Sequence, residues 1–106
     1  MIEKLYLVTR RDLPPGSRVA QVAHAFREYI EHFPAAEKAW YETSNTLVCL
    51  EADDEAALRT LVEQALNRDV PVAVFEEPDL GGALTAIALG PSAKSLVRHL
   101  DLALAS

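Results

Sequence analysis

The chain is expected to fold as a single α/β domain over residues 1–106, in three layers, with a four-stranded mixed sheet lying between helices. Three observations predict this. A length of 106 residues suits one hydrophobic core and leaves no room for a second. Short β-branched and apolar runs alternate with longer stretches of helical spacing, the βαβ pattern of strands joined by right-handed crossovers. The last two runs are joined only by a loop, too short for a parallel crossover, so the fourth strand should oppose the third if they neighbour, in a sheet otherwise mostly parallel.

Each element has its own signal. Residues 4–9, Lys-Leu-Tyr-Leu-Val-Thr, read as a first strand ending in the polar cluster Arg10, Arg11 and Asp12. Pro14-Pro15-Gly16-Ser17 should interrupt regular structure, with Ser17 as N-cap of a first helix. Its apolar stripe is Val19, Val22, Ala23, Phe26, Ile30 and Phe33, its other face Arg18, Gln21, His24 or Ala25, and Glu28, and Pro34 stops it. A short helix over 35–41 would anchor on Trp40 and Tyr41, and Thr43-Ser44-Asn45 would turn the chain. Residues 46–50 form an apolar strand of the kind covered on both faces. Asp53 is placed to cap a helix over 54–68 with the stripe Leu58, Leu61, Val62, Ala65 and Leu66. Strands over 72–75 and 84–89 flank the loop Glu76 to Gly82, and after Gly90-Pro91 a last helix runs from Ser92 to about Leu100.

Composition narrows the class. With 50% apolar and 25% charged residues the chain can bury a core and wet its surface, unlike a disordered segment. Its apolar runs are strand-sized, and residues 1–5 carry no signal-peptide stretch, so a cytoplasmic protein not bound to membrane is expected. Cys49, the single cysteine, lies among Leu47, Val48 and Leu50 and reads as a small buried hydrophobe. A net charge of −6 argues against a generic nucleic-acid binder, although the basic residues crowd into the first quarter and leave room for a local basic site.

No Gly-x-Gly-x-x-Gly, Walker or Cys-x-x-Cys motif occurs, and His24, His32 and His99 lack metal-site spacing, so no cofactor and no metal are expected. Gln21 and His24, three apart on one helix, can address one region of space. Imidazole exchanges protons near neutral pH, as hydrolysis at a carbonyl requires, whereas a histidine between Ala23 and Ala25 can equally serve packing. Glu76, Glu77 and Asp79 follow a strand expected to be parallel, at the rim where open α/β sheets place their crevices, and Arg10, Arg11 and Asp12 should share that rim. Acids there can orient a base or a water, or meet Arg10, Arg11 or Arg18; Thr85 can reach the same crevice or simply fill a strand.

Asp12-Leu13, Gly16, the segment Ala20-Gln21-Val22-Ala23-His24-Ala25 and the later Thr85-Ala86-Ile87-Ala88-Leu89-Gly90-Pro91 together resemble the archaeal and eukaryotic (type 2) peptidyl-tRNA hydrolases. The resemblance runs from about Leu5 to Leu104 and points to a divergent bacterial branch, with Ser44-Asn45 and Glu77-Pro78-Asp79-Leu80 as its own motifs. It implies a four-stranded mixed sheet, a homodimer, and cleavage of the ester between a peptide and the terminal ribose of tRNA. Gln21, His24 and Thr85 match the family, and Glu77 stands where it has aspartate. The family's Lys-x-Gly-Lys loop is replaced by Pro15-Gly16-Ser17, and its Ala-Gly-Arg-Thr-Gln segment by the shorter 78–82.

The resemblance assigns catalysis to His24, Glu77, Gln21 and Thr85: His24, or a water oriented by Glu77, attacks the ester carbonyl, which Gln21 and Thr85 place. Arg18, with Arg10 or Arg11, would hold tRNA phosphate, Ser17 would add a hydroxyl and backbone donors at the helix start, and Asp79 would lie on the substrate side. The alternative is a non-catalytic dimeric module, or a protein for a small molecule, that keeps the fold without the tRNA activity. Phe33, Trp40 and Tyr41 are candidates for either core or dimer interface.

Overall fold

The computed structural model describes residues 2–105, so Met1 and Ser106, the ends of the expected 1–106 domain, lie outside the described residues. The elements are β1 (Lys4–Arg10), α1 (Pro15–His32), α2 (Pro34–Thr43), β2 (Thr46–Ala52), α3 (Glu55–Asn67), β3 (Val72–Glu77), β4 (Ala83–Leu89), α4 (Lys94–Val97) and β5 (Asp101–Leu102). Single 3-10 turns at Pro78–Leu80 and Pro91–Ala93 precede β4 and α4.

The sheet has five strands in the order β3-β4-β1-β2-β5, which corrects the expected four. The expected last helix ends early, and the chain beyond it pairs antiparallel with β2 through Leu50↔Leu102 and Glu51↔Asp101. Ala103 N–H adds a bond to Cys49 C=O at 2.9 Å, so the tail covers part of an edge that a four-stranded sheet would leave open. The sheet is also less parallel than expected. Only β1 and β2 pair in parallel; β4 inserts between β1 and β3 and opposes both. The directions of β1, β2 and β3 nevertheless agree, so their carboxyl ends share one end of the sheet.

Strand alternation divides the core in two. Leu5 and Leu7 join Ala73, Ala86 and Ala88 beneath Ala25, Tyr29 and Trp40 of α1 and α2. Tyr6 and Val8 join Leu50, Ile87 and Leu89 beneath Leu58, Leu61 and Ala65 of α3, with Leu96 and Val97 of α4.

Several local expectations are corrected. The α1 helix starts at Pro15, whose fixed φ suits the first helical position, so Ser17 lies inside the helix and makes no side-chain cap bond. The buried row of α1 is Gln21, Ala25 and Tyr29, while Val19 and Ala23 are exposed. Asp54 caps α3 by accepting from Ala57 N–H at 2.9 Å, leaving Asp53 free to meet Arg11. Leu66 faces solvent, as does Leu47 in β2. Trp40 is core, donating to Thr46 C=O at 2.9 Å, whereas Tyr41 is exposed and Phe33 half-buried against Tyr29. No helix among the described residues is long and apolar enough to cross a membrane.

Gly90 marks a close approach between sheet and helix. A Cβ there would lie 2.9 Å from the hydroxyl of fully buried Tyr29 and 3.6 Å from the Pro71 ring. Gly90→Ala should therefore cost about 1–3 kcal/mol through overpacking, read as a lowered Tm in thermal unfolding.

Candidate functional site

The site lies where β1 and β4 pass under the first half of α1. Pairing of β3 with β4 shifts register between Phe75 and Glu76: Phe75 faces Ala86, but Glu76 faces Leu84, so Thr85 is the extra residue of a β-bulge. The bulge explains why Leu84 and Ile87 bury on the same α3 side, and it turns the Thr85 side chain towards α1. There the Thr85 hydroxyl donates to Gln21 Oε1 at 2.7 Å, with Phe75 C=O farther off at 3.4 Å. The Thr9 hydroxyl donates to Thr85 C=O at 2.9 Å. Thr9, Gln21 and Thr85 are all buried, forming a polar row inside an otherwise apolar layer.

This row fixes the Gln21 amide. With Oε1 accepting from Thr85, its N–H2 end is the remaining donor, and it bonds no other side chain or backbone group among the described residues. One turn away, exposed His24 stacks on Phe75, ring centroids 4.4 Å apart and planes 14° from parallel. Phe75 thereby orients the imidazole without using either ring nitrogen. Glu77 ends the same strand, two residues beyond Phe75, half-buried. No hydrogen bond or ion pair joins His24 to Glu77 among the described residues, and Asp79 is exposed in the following 3-10 turn.

The rim arginines are engaged. Arg10 forks onto Asp12 through two 2.9 Å bonds and donates to Leu84 C=O at 3.1 Å, tying the end of β1 to the bulged strand. Arg18 donates to Leu13 C=O at 2.6 Å, Arg11 C=O at 2.7 Å and Glu51 at 3.2 Å, so it closes the loop before α1. Arg11 reaches Asp53 at 3.2 Å and Asp101 at 3.1 Å. Their carboxylate partners thus come from the β1 loop, β2 and its following loop, and β5, with none from residues 76–79. Glu55 likewise braces the start of β4, accepting from Leu84 N–H at 2.9 Å, and that bond lowers its pKa.

Hydrogen bonds from Arg10 hold the Asp12 carboxyl below the usual carboxylate range. A carboxyl whose folded pKa is depressed stabilises the fold above its unfolded pKa of about 3.9 and loses that contribution as pH falls through the folded value. Asp12→Asn should therefore flatten the acid limb of the stability curve below about pH 4, as followed by urea unfolding against pH.

Sequence reasoning missed Thr9 and Phe75. Thr9 shares strand parity with Leu5 and Leu7, so alternation alone would have put it under α1. Phe75 carried no comparable signal. Cys49, expected to be buried, is half-buried in a groove of about 190 Å³ with Thr9, Val19, Val22 and Leu104, and burial pushes its thiol pKa up.

Comparison with known proteins decides the kinship. The family model of peptidyl-tRNA hydrolase PTH2 matches residues 3–104. The chain belongs to the PTH2 family. A peptidyl-tRNA hydrolase of Thermococcus onnurineus (strain NA1) is 30% identical over 104 residues, covering 89% of this chain and 88% of that protein. A solved structure of a protein of unknown function from Agrobacterium tumefaciens strain C58 superposes with a TM-score of 0.71 over 96% of this chain and 98% of its own, at 15% identity, and so shares the fold. Within the PTH2 family, this chain presents helix-starting Pro15 and interior Ser17 where the resemblance leads one to expect loop lysines.

Proposed function

We propose that this PTH2 protein hydrolyses the ester linking a peptide to the terminal ribose of tRNA, acting in the cytoplasm. The observation that carries the reading is the bulge-borne Thr85–Gln21 bond beside the His24–Phe75 stack, which leaves an amide donor and an imidazole on neighbouring turns of α1. In this reading the Gln21 N–H2 group holds the ester carbonyl oxygen, and Thr85 keeps the amide in that orientation. His24 takes a proton from a water positioned by Glu77, and the water oxygen bonds to the carbonyl carbon. Collapse of the tetrahedral adduct breaks the bond to the ribose oxygen, which receives the proton back from His24; the products are a free peptide carboxylate and intact tRNA.

Phosphate contacts would fall to Arg11, whose side chain is 40% exposed and can exchange Asp53 or Asp101 for a phosphate, more readily than to Arg10 or Arg18, with side chains 15% and 17% exposed. Ser17 and Asp79 would flank that approach. Comparing hydrolysis of peptidyl-tRNA with that of the same peptide esterified to adenosine tests the reading. The tRNA ester should be preferred, with a preference that shrinks as salt rises; equal rates on both would mean that tRNA is not recognised.

A second reading, a module that keeps the fold without the tRNA activity, is favoured by one observation: Arg10, Arg11 and Arg18 all already hold carboxylates. Tight tRNA binding without ester cleavage, or neither, would support it.

A homodimer is part of the proposal. Val19 and Leu104 line the groove beside Cys49, with Arg18 at its edge, and exposed Leu47 lies two residues before Cys49 on the same strand face, which puts several apolar groups on the β2 side. Sedimentation equilibrium should give twice the chain mass, and Leu47→Asp should shift it towards the monomer.

A further inference from the structure

The cations of this chain are not evenly neutralised. Arg10, Arg11, Arg18, Arg27 and Arg59 all hold carboxylates. The other five, Lys4, Lys38, Arg68, Lys94 and Arg98, hold none among the described residues, and three of them, Lys4, Lys94 and Arg98, line one groove, of about 160 Å³, on the α3 and α4 side of the sheet. No acidic residue lines it; its floor is Tyr6, Val48, Leu50, Val97 and Leu100. The clustering runs against local stability, since Lys94 and Arg98 stand four apart, the spacing at which like charges on a helical turn repel. In a chain of net charge −6, three uncompensated cations around one apolar floor form a focused positive site.

The groove is separate from the site under α1. Lys4 opens β1 and Thr9 nearly ends it, so the two lie roughly 17 Å apart along the strand and point to opposite faces. From this arrangement we infer that the groove is a second binding site, for a phosphate monoester carried on a flat or apolar body. An arginine fork with two lysines matches the charge and the several acceptor oxygens of a phosphate dianion better than a lone carboxylate. Half-buried Val48 and Leu100, backed by the buried Tyr6, Leu50 and Val97, supply an apolar surface for an attached base or aryl group. Recognition here uses side chains and none of the glycine-rich phosphate loops, which the sequence lacks. The inference stands whether or not the chain hydrolyses peptidyl-tRNA.

Titration of the full chain with AMP, adenosine, inorganic phosphate and a short single-stranded RNA, followed by backbone amide NMR shifts, tests it. AMP should shift amides of residues 4–6, 48–50 and 94–100 saturably, with phosphate weaker and adenosine weaker still. The double variant Lys94→Glu, Arg98→Glu should reduce AMP affinity by at least about tenfold, and Lys4→Glu, on another element, provides the same test if α4 does not tolerate the change. Arg68→Glu, outside the groove, should leave AMP binding unchanged. Absence of shifts at millimolar AMP, shifts clustered elsewhere, binding indifferent to the groove variants, or RNA binding without AMP binding would each overturn the inference, the last by making the groove a polyanion surface.

Discussion

Replacing His24 with alanine should lower turnover on peptidyl-tRNA by about 10²–10⁴-fold, the range lost when a positioned acid–base group is removed. The fold should survive, because His24 is exposed and its ring packs on Phe75. Wild-type and variant should therefore unfold at nearly the same temperature while their rates diverge. The effect should appear in kcat more than in KM, since in the proposed mechanism the imidazole acts on the attacking water and not on the body of the tRNA. A variant with unimpaired turnover would remove His24 from the chemistry and leave it a packing residue.

Thr85→Val should damage both stability and rate. Valine keeps the volume and β-branching of threonine but strips the hydroxyl, so Gln21 Oε1, in a residue only 7% exposed, loses its donor at 2.7 Å. Leaving a buried acceptor unsatisfied costs about 1–3 kcal/mol. For a domain of this size each kcal/mol lowers Tm by about 4–8 °C. The same change frees the amide to rotate, so its N–H2 group no longer points one way, and turnover should fall further than the lost stability explains. Thr85→Ser, which retains the hydroxyl, should recover much of the rate; equal loss in both variants would assign Thr85 to packing alone.

What the sequence made legible follows from how strongly each feature is patterned. The helices and first four strands carried periodicity and proline stops, so their order could be read, with ends displaced by a few residues and the caps of α1 and α3 misplaced. The fifth strand could not, because two residues, Asp101 and Leu102, are too short for any alternation and are defined only by pairing with Leu50 and Glu51. The buried face of α1 was misread for a related reason. Val22, Phe26 and Phe33 of the expected stripe do pack against the core, but its centre is polar Gln21, small Ala25 and Tyr29, while apolar Val19 faces outward, so hydrophobicity alone placed the face off-centre and the Thr85 bond marks it.

Gln21 and Thr85 were picked out as a pair by motif, but their direct bond depends on the bulge, a register event between two distant strands with no local signal. Likewise the arginines of the first quarter were visible as a cluster, whereas their partners Glu51, Asp53 and Asp101 come from other parts of the chain. Composition showed an uneven distribution of charge; only folding shows which cations remain without a carboxylate.

The most direct measurement is multiple-turnover hydrolysis of peptidyl-tRNA by the purified chain, followed as release of free peptide and intact tRNA. The reading of the α1 site predicts release well above the buffer rate at catalytic enzyme concentration, slowing as salt rises. No release above buffer, even with enzyme in excess over substrate, would contradict it and leave a PTH2 fold whose buried polar row serves structure alone.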